Sequence, residues 1–72
     1  MPEPPMEYVS SSNVEQVGYD PESRELWVRF LSGDTYVYSN VDEGTHQSLI
    51  TASSVGSYLN RAIKGAFDYR KV

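Results

Sequence analysis

The chain has 72 residues with ten acidic and six basic side chains, so its formal net charge at pH 7 is −4. A chain this short builds one small core and buries only about 60% of its unfolded surface. It has no cysteine and one histidine, which excludes a disulfide framework and argues against a structural zinc site. No apolar run approaches the ~20 residues of a membrane span, and no signal peptide is recognisable. We therefore expect one soluble cytoplasmic domain without metal, cofactor or membrane partner.

Residues 1–9 read MPEPPMEYV and are predicted to form a flexible leader ahead of a domain at residues 10–72. Prolines fix φ and remove backbone donors, so regular structure is not expected there. One interpretation is a disordered leader. The other is a binding arm, in which Met6, Tyr8 and Val9 dock on a partner protein beside the charges of Glu3 and Glu7.

A three-stranded antiparallel meander is predicted next, from three runs rich in β-branched, aromatic or alternating apolar residues. Asp20 and Pro21 suit a turn between the first two runs, and Gly33 suits a hairpin loop between the second and third. In the second run Leu26 and Val28 face one side and Trp27 the other. The predicted strands are residues 14–19, 25–31 and 35–39.

Two short helices are predicted after the strands, at about residues 42–52 and 55–64. Asp42 and Glu43 favour the start of the first helix because they oppose the helix macrodipole. Ser54 can cap the second helix, and Gly65 can end it. The apolar stripe of the second helix comprises Val55, Tyr58, Leu59, Ala62 and Ile63. We expect an α+β fold with both helices packed on one face of the sheet and the other face open.

Tyr36 and Tyr38 lie two residues apart on the third predicted strand, so both rings project from the same face of the sheet. They fit a stacking platform for the bases of single-stranded RNA. They also fit a role in the core, packed beneath the helices with their hydroxyls at the rim. The second role is favoured because so small a core needs its large side chains.

Positive charge is concentrated at the C-terminal end. Residues 1–60 carry two basic and nine acidic side chains, a net charge of −7, whereas residues 61–72 carry four and one, a net charge of +3. This basic end is the candidate nucleic-acid footprint, although a solvated helix end explains it as well. Its basic residues are Arg61, Lys64, Arg70 and Lys71, and they are interleaved with Phe67 and Tyr69.

Acidic side chains dominate the rest of the chain, and three of them, Asp20, Glu22 and Asp34, fall in the predicted hairpin turns. Acids in turns are common for solubility alone. If several cluster, a basic protein surface becomes the natural partner through electrostatic steering. No nucleophile motif, phosphate loop or metal-ligand spacing accompanies His46, so we do not expect an enzyme.

Four motifs occur in order along the chain and resemble the KTSC domain, a small bacterial and phage module also found at the C-terminus of some lysyl-tRNA synthetases. The resemblance covers about residues 10–72. The motifs are Ser11-Ser12-Asn13, Gly18-Tyr19-Asp20-Pro21-Glu22, Tyr36-Val37-Tyr38 and the run ASSVGSYLN, the last followed by Ile63-Lys64-Gly65.

Together with the acidic charge, the proline-rich leader and the length of 72 residues, the resemblance implies a phage-encoded transcription regulator. Such a protein binds host bacterial RNA polymerase stoichiometrically, inhibits initiation and promotes antitermination. Its basic tail would contact nascent RNA or a transcription elongation factor. The protein-binding residues would be Met6, Glu7, Tyr8, Val9, Asp20, Glu22 and Asp34. The alternative is a single-stranded RNA-binding module, and its binding residues would be Tyr36, Tyr38, Arg61, Lys64, Arg70 and Lys71.

Overall fold

Five antiparallel strands form a single sheet in the order β1-β2-β3-β4-β5 in the computed structural model, which describes residues 3–72. The strands are β1 (Met6–Tyr8), β2 (Val14–Asp20), β3 (Glu25–Phe30), β4 (Thr35–Tyr38) and β5 (Tyr69–Lys71). Helices α1 (Glu43–Ile50) and α2 (Val55–Tyr58) lie between β4 and β5, and a π-helical segment (Leu59–Ile63) continues α2. The predicted α+β class is confirmed.

The central meander of β2, β3 and β4 is confirmed, and its turns use the expected residues. At the first turn the Asp20 carboxylate accepts a hydrogen bond from the Glu22 amide at 3.0 Å. At the second turn Gly33 has φ +100°, a conformation that a residue without Cβ adopts easily. Turn chemistry therefore sets the register of both hairpins.

The sheet has five strands rather than the three predicted, because both chain ends pair with the meander. Met6 lies opposite Gly18, so β1 forms an edge strand beside β2. At the other edge Tyr38 lies opposite Tyr69, which joins β5 to β4. The expectation that residues 1–9 lack regular structure is wrong for Met6–Tyr8, since the prolines precede this strand and do not interrupt it. Residues 1 and 2 lie outside the described residues.

Both predicted helices are confirmed, and each begins at its expected polar residue. The Asp42 carboxylate accepts a hydrogen bond from the Thr45 amide at 2.7 Å, and the Ser54 hydroxyl caps α2. The π-helical segment ends with the Lys64 amide bonded to the Leu59 carbonyl at 2.8 Å. No helix within residues 3–72 has the length and apolarity needed to cross a membrane.

The helices cover one face of the sheet, which we call the helix face. Strand register places Leu26, Val28, Tyr36 and Tyr38 on this face. The core lies between it and the helices, which contribute Leu49, Leu59 and Ile63.

The opposite face carries Gly18, Trp27 and Val37, and it is not open as expected. Trp27 is only 8% exposed and Val37 is fully buried. Glu3–Met6, which we call the strap, lies across this face, and Pro4 within it is buried. The small domain therefore covers both faces of its sheet.

Candidate functional site

A cleft of about 590 Å³ opens on the helix face at the C-terminal edge of the sheet. It lies between the β3–β4 turn, the end of the π-helical segment and β5. Four aromatic side chains line it together with a lysine, an acid and a serine. The aromatic residues are Phe30, Tyr36, Tyr38 and Tyr69, and the polar side chains are those of Ser32, Asp34 and Lys64.

Strand pairing brings the aromatic rings together. Tyr36 and Tyr38 alternate with Val37 on β4, and Tyr69 is the register partner of Tyr38. The Tyr69 ring centroid lies 5.5 Å from that of Tyr36 and 5.7 Å from that of Tyr38. Phe30 meets the edge of Tyr36 at 5.6 Å. These separations are typical of favourable aromatic pairs, so the four rings form one continuous surface.

The rings differ in accessibility, which separates a supporting role from a binding role. Tyr38 is 2% exposed and belongs to the core, whereas Tyr69 is 60% exposed. Phe30 and Tyr36 are half-buried. Burial, reinforced by the neighbouring Tyr36 and Tyr69 hydroxyls, raises the pKa of Tyr38 above its ordinary value, so this hydroxyl stays neutral at pH 7. Tyr38 supports the cleft from beneath, and Tyr36 and Tyr69 offer faces to a ligand.

Two lysines border the cleft. The Lys64 ammonium lies 5.2 Å from the Phe30 ring centroid, within cation–π range. The Lys71 ammonium lies 3.3 Å from an Asp34 carboxylate oxygen. Exposed ion pairs of this kind are worth about 0–1 kcal/mol, so a phosphate can compete for Lys71. The cleft therefore combines open ring faces with a basic rim.

Only four of the six predicted nucleic-acid-binding residues lie at the cleft. Three of them line the cleft, and Lys71 lies at its edge as the register partner of Tyr36. Arg70 points to the opposite face and bonds the Glu25 carboxylate at 3.0 Å. Arg61 lies on the π-helical segment with its guanidinium 5.9 Å from the Tyr58 ring centroid. The residues that the cleft brings together are Tyr36, Tyr38, Lys64 and Lys71.

The seven predicted protein-binding residues do not share one surface. In β1, Glu7 and Tyr8 are exposed at the sheet edge and Met6 is half-buried on the opposite face. Val9, which follows β1, packs against the core. Asp20 and Glu22 lie at the β2–β3 turn. Asp34 lies at the other end of β3, in the cleft.

Sequence reasoning missed Phe30 as a cleft residue, and it named Tyr69 only as an aromatic residue among the basic residues of the C-terminal end. The alternation along β3 already places Phe30 beside Leu26 and Val28, so its position was readable once Tyr36 was placed on the same face. Tyr69 offered no such signal, because its place depends on the pairing of β5 with β4. That pairing joins residues about 30 positions apart in the chain.

A smaller cavity of about 240 Å³ lies at the other edge, between β1, β2 and α1. The Tyr19 ring stacks on the His46 imidazole at 4.8 Å, and the Tyr19 hydroxyl donates to the Val41 carbonyl. Burial lowers the pKa of His46 below its ordinary value, against the opposing charges of Glu7 and Glu43. Within residues 3–72, no group of three or more histidine, cysteine or acidic residues is placed to hold a metal ion.

Known proteins resemble this chain in both sequence and fold. The KTSC domain family model matches residues 10–67. A solved KTSC domain protein from Yersinia pestis is 40% identical and superimposes with a TM-score of 0.89, over 94% of this chain and 96% of that one. The chain belongs to the KTSC domain family.

Relatives occur both as small proteins and as segments of larger ones. A protein of Tsukamurella paurometabola is 39% identical over 62 residues, which cover 86% of this chain and 92% of that protein. A lysine–tRNA ligase of Nostoc punctiforme is 31% identical over 61 residues, which cover 85% of this chain and only 11% of the ligase. The domain therefore stands alone in one relative and is a minor part of the other.

Proposed function

We propose that this KTSC domain is a binding module that holds single-stranded RNA in the aromatic cleft. The observation that carries the proposal is the arrangement of Tyr36 and Tyr69 as accessible ring faces beside Lys64. Base–aromatic stacking contributes about 1–3 kcal/mol per base. A ring pair with a neighbouring ammonium is therefore sufficient for modest affinity without any reaction chemistry.

The charge distribution supports a short contact rather than an extended one. Lys64 and Lys71 border the cleft, while the net charge of residues 1–60 is −7 and repels phosphates elsewhere. For single strands the slope of log K against log salt is about −0.7 for each phosphate neutralised. Two lysines therefore predict a slope of about −1.4, much shallower than that of a strongly basic RNA-binding protein.

Similarity to a segment of lysine–tRNA ligases also supports an RNA ligand. Those proteins are named for attaching lysine to tRNA, although the matched segment is only 11% of the Nostoc punctiforme enzyme. The name describes the activity of the whole ligase and not that of the matched segment.

A matched tyrosine pair tests the RNA proposal. Tyr69→Ala removes an accessible ring of the cleft, whereas Tyr8→Ala removes a ring that is 76% exposed at the opposite sheet edge. With a labelled 8-nucleotide RNA, we expect fluorescence anisotropy to show at least fivefold weaker binding for Tyr69→Ala and unchanged binding for Tyr8→Ala. Equal affinities of the two variants would contradict the assignment of the cleft.

A second candidate function is the stoichiometric binding of bacterial RNA polymerase by a phage-encoded regulator that inhibits initiation and promotes antitermination. It is supported by β1, an edge strand with accessible Glu7 and Tyr8, at which a partner can add a strand. The acidic charge around this edge suits a basic partner surface. In this mode the polymerase binds at β1, and the cleft binds nascent RNA or an elongation factor.

The same variants separate the two functions because the two tyrosines lie at opposite edges of the sheet. A native gel shift with purified bacterial RNA polymerase should weaken for Tyr8→Ala and persist for Tyr69→Ala if β1 is the contact. The RNA anisotropy should show the reverse dependence. A polymerase shift that neither substitution changes would remove β1 from the polymerase site.

A further inference from the structure

The strap crosses the opposite face of the sheet and ends on a positioned arginine. The Glu3 carboxylate pairs with one terminal nitrogen of Arg29. The other terminal nitrogen donates to the Gln16 side chain at 2.7 Å, and Nε donates to the Thr35 hydroxyl at 3.2 Å. Gln16 and Thr35 therefore hold the guanidinium in place, with one nitrogen directed at a carboxylate.

Gly18 lets the strap lie directly on the sheet. A Cβ atom at this position would lie 2.5 Å from the Met6 sulfur, 2.9 Å from the Pro5 carbonyl oxygen and 3.3 Å from Pro4 Cγ. Backbone cannot move aside as a flexible side chain can. The absence of a side chain at Gly18 thus creates a shallow track that an extended proline segment follows.

Trp27 lies beside this track, as the register partner of Gly18 on one side and Val37 on the other. The residue is only 8% exposed, yet its indole N–H has no hydrogen-bond partner among residues 3–72. Buried donors are nearly always paired. The strap lies over Gly18, the register partner of Trp27. The Trp27 donor stays unused within residues 3–72, so a carbonyl of a better-fitting segment can accept from it.

We propose that the opposite face is a groove for an extended segment of a partner protein, in which an acidic residue precedes two prolines. The strap occupies this groove in cis. Proline suits the track because its ring packs on flat apolar surface and it leaves no backbone N–H unpaired. The acidic residue matches Arg29, and the carbonyls of the segment match the Trp27 donor.

The strap competes with such a segment because it belongs to the same chain. An intramolecular ligand of this length acts at an effective concentration in the millimolar range. A partner segment therefore binds detectably only when it fits better than the strap or when the strap is weakened. Substitution of Glu3 weakens the strap and leaves the groove intact.

Peptide exchange in the full-length chain tests the groove. Glu3→Arg opposes the Arg29 charge and should release the strap, which shifts the emission of Trp27, the single tryptophan, to longer wavelength. The peptide acetyl-Glu-Pro-Pro-Met-amide should reverse this shift saturably. We expect the peptide to bind Glu3→Arg at least fivefold more tightly than the wild type, which retains its own strap.

Two matched controls complete the design. Gly18→Ala blocks the track, so the peptide should not bind it, whereas Gly44→Ala, whose added Cβ would come no closer than 3.8 Å to Asp42, should behave as wild type. The peptide acetyl-Glu-Ala-Ala-Met-amide should bind Glu3→Arg at least fivefold more weakly than the proline peptide.

Failure of the proline peptide to bind Glu3→Arg would overturn the proposal, whatever the emission of that variant. Equal affinity of the proline peptide for Gly18→Ala and Gly44→Ala would also overturn the proposal. A shift to shorter wavelength with increasing protein concentration, without peptide, would assign the face to a second copy of the chain instead.

Discussion

The two faces of the sheet are buried by different means. The helix face packs against α1, α2 and the π-helical segment, and Leu26 and Val28 on it are fully buried. The opposite face is covered by the four residues of the strap, which the Glu3–Arg29 ion pair and the β1 edge pairing hold in place. A helical layer resists exchange because many apolar contacts must break together, whereas a short terminal segment can detach alone. A partner segment that must first displace a covering layer is therefore expected to bind on the opposite face.

Truncation of a buried side chain on each face should give the largest effect and quantify this contrast. Leu26→Ala on the helix face should lower the free energy of unfolding by about 3 kcal/mol, because it leaves a cavity in the core. Met6→Ala, which truncates the one half-buried side chain of β1, should lower it by about 1 kcal/mol. Urea titrations followed by circular dichroism measure both values, and similar losses would mean that the two faces are equally integral to folding.

Glycine substitutions should give the next largest effect. Gly18→Ala forces the strap away from β2 and should lower the free energy of unfolding by about 1–3 kcal/mol, as expected for overpacking. Gly44→Ala lies in α1, where the added Cβ would make only an ordinary contact of 3.8 Å with Asp42, and it should raise stability by up to about 1 kcal/mol through helix propensity. Thermal unfolding of both variants measures the two changes in stability. A neutral Gly18→Ala would show that the strap is already loose in solution.

The smallest expected effect is a pH dependence that involves His46 between β1 and α1. Its folded pKa is lowered by burial, so below its unfolded pKa of about 6.5 the unfolded chain binds more protons than the folded one. Stability should therefore be complete above pH 6.5 and decline as the pH falls toward 5. Glu7, Glu43 and the Tyr19 ring face the imidazole, and the acids reduce the effect.

The control for this dependence is His46→Gln, which cannot titrate. Its stability should stay flat between pH 7 and pH 5, as measured by urea titration at each pH. Asp42, whose pKa is lowered by its hydrogen bonds to Thr45, affects stability only in more acidic solution. If the stability of His46→Gln depends on pH as strongly as that of the wild type, other groups cause the pH dependence.

Local sequence signals were sufficient for the central elements and for half of the cleft. Asp20, Pro21 and Gly33 marked the hairpins, and Ser54 marked the start of α2. The alternation of Tyr36 and Tyr38 correctly placed both rings on one face of the sheet, which is the helix face in the structure. Trp27, whose position relative to them depended on register, lies on the other face because it pairs with Val37.

Pairings between distant segments were not predictable in this way. Three residues of β1 and three of β5 are too few to show a strand pattern of their own, and the prolines of residues 1–9 argued against one. Each becomes a strand because a hairpin edge offers unpaired backbone groups nearby. Tyr69 enters the cleft, and the strap lies over Gly18, only as a result of these pairings.

The sequence by itself determined the α+β class, the two hairpins, both helices and the separation of an acidic body from a basic end. These features depend on neighbours within a few residues, where side-chain periodicity, caps and turn residues act directly. The tertiary structure alone decided the two edge strands, the joining of Phe30 with Tyr69 in one cleft and the close approach of Pro5 to Gly18. These depend on contacts between segments distant in the chain, which form only when backbone pairing and burial outweigh local preference.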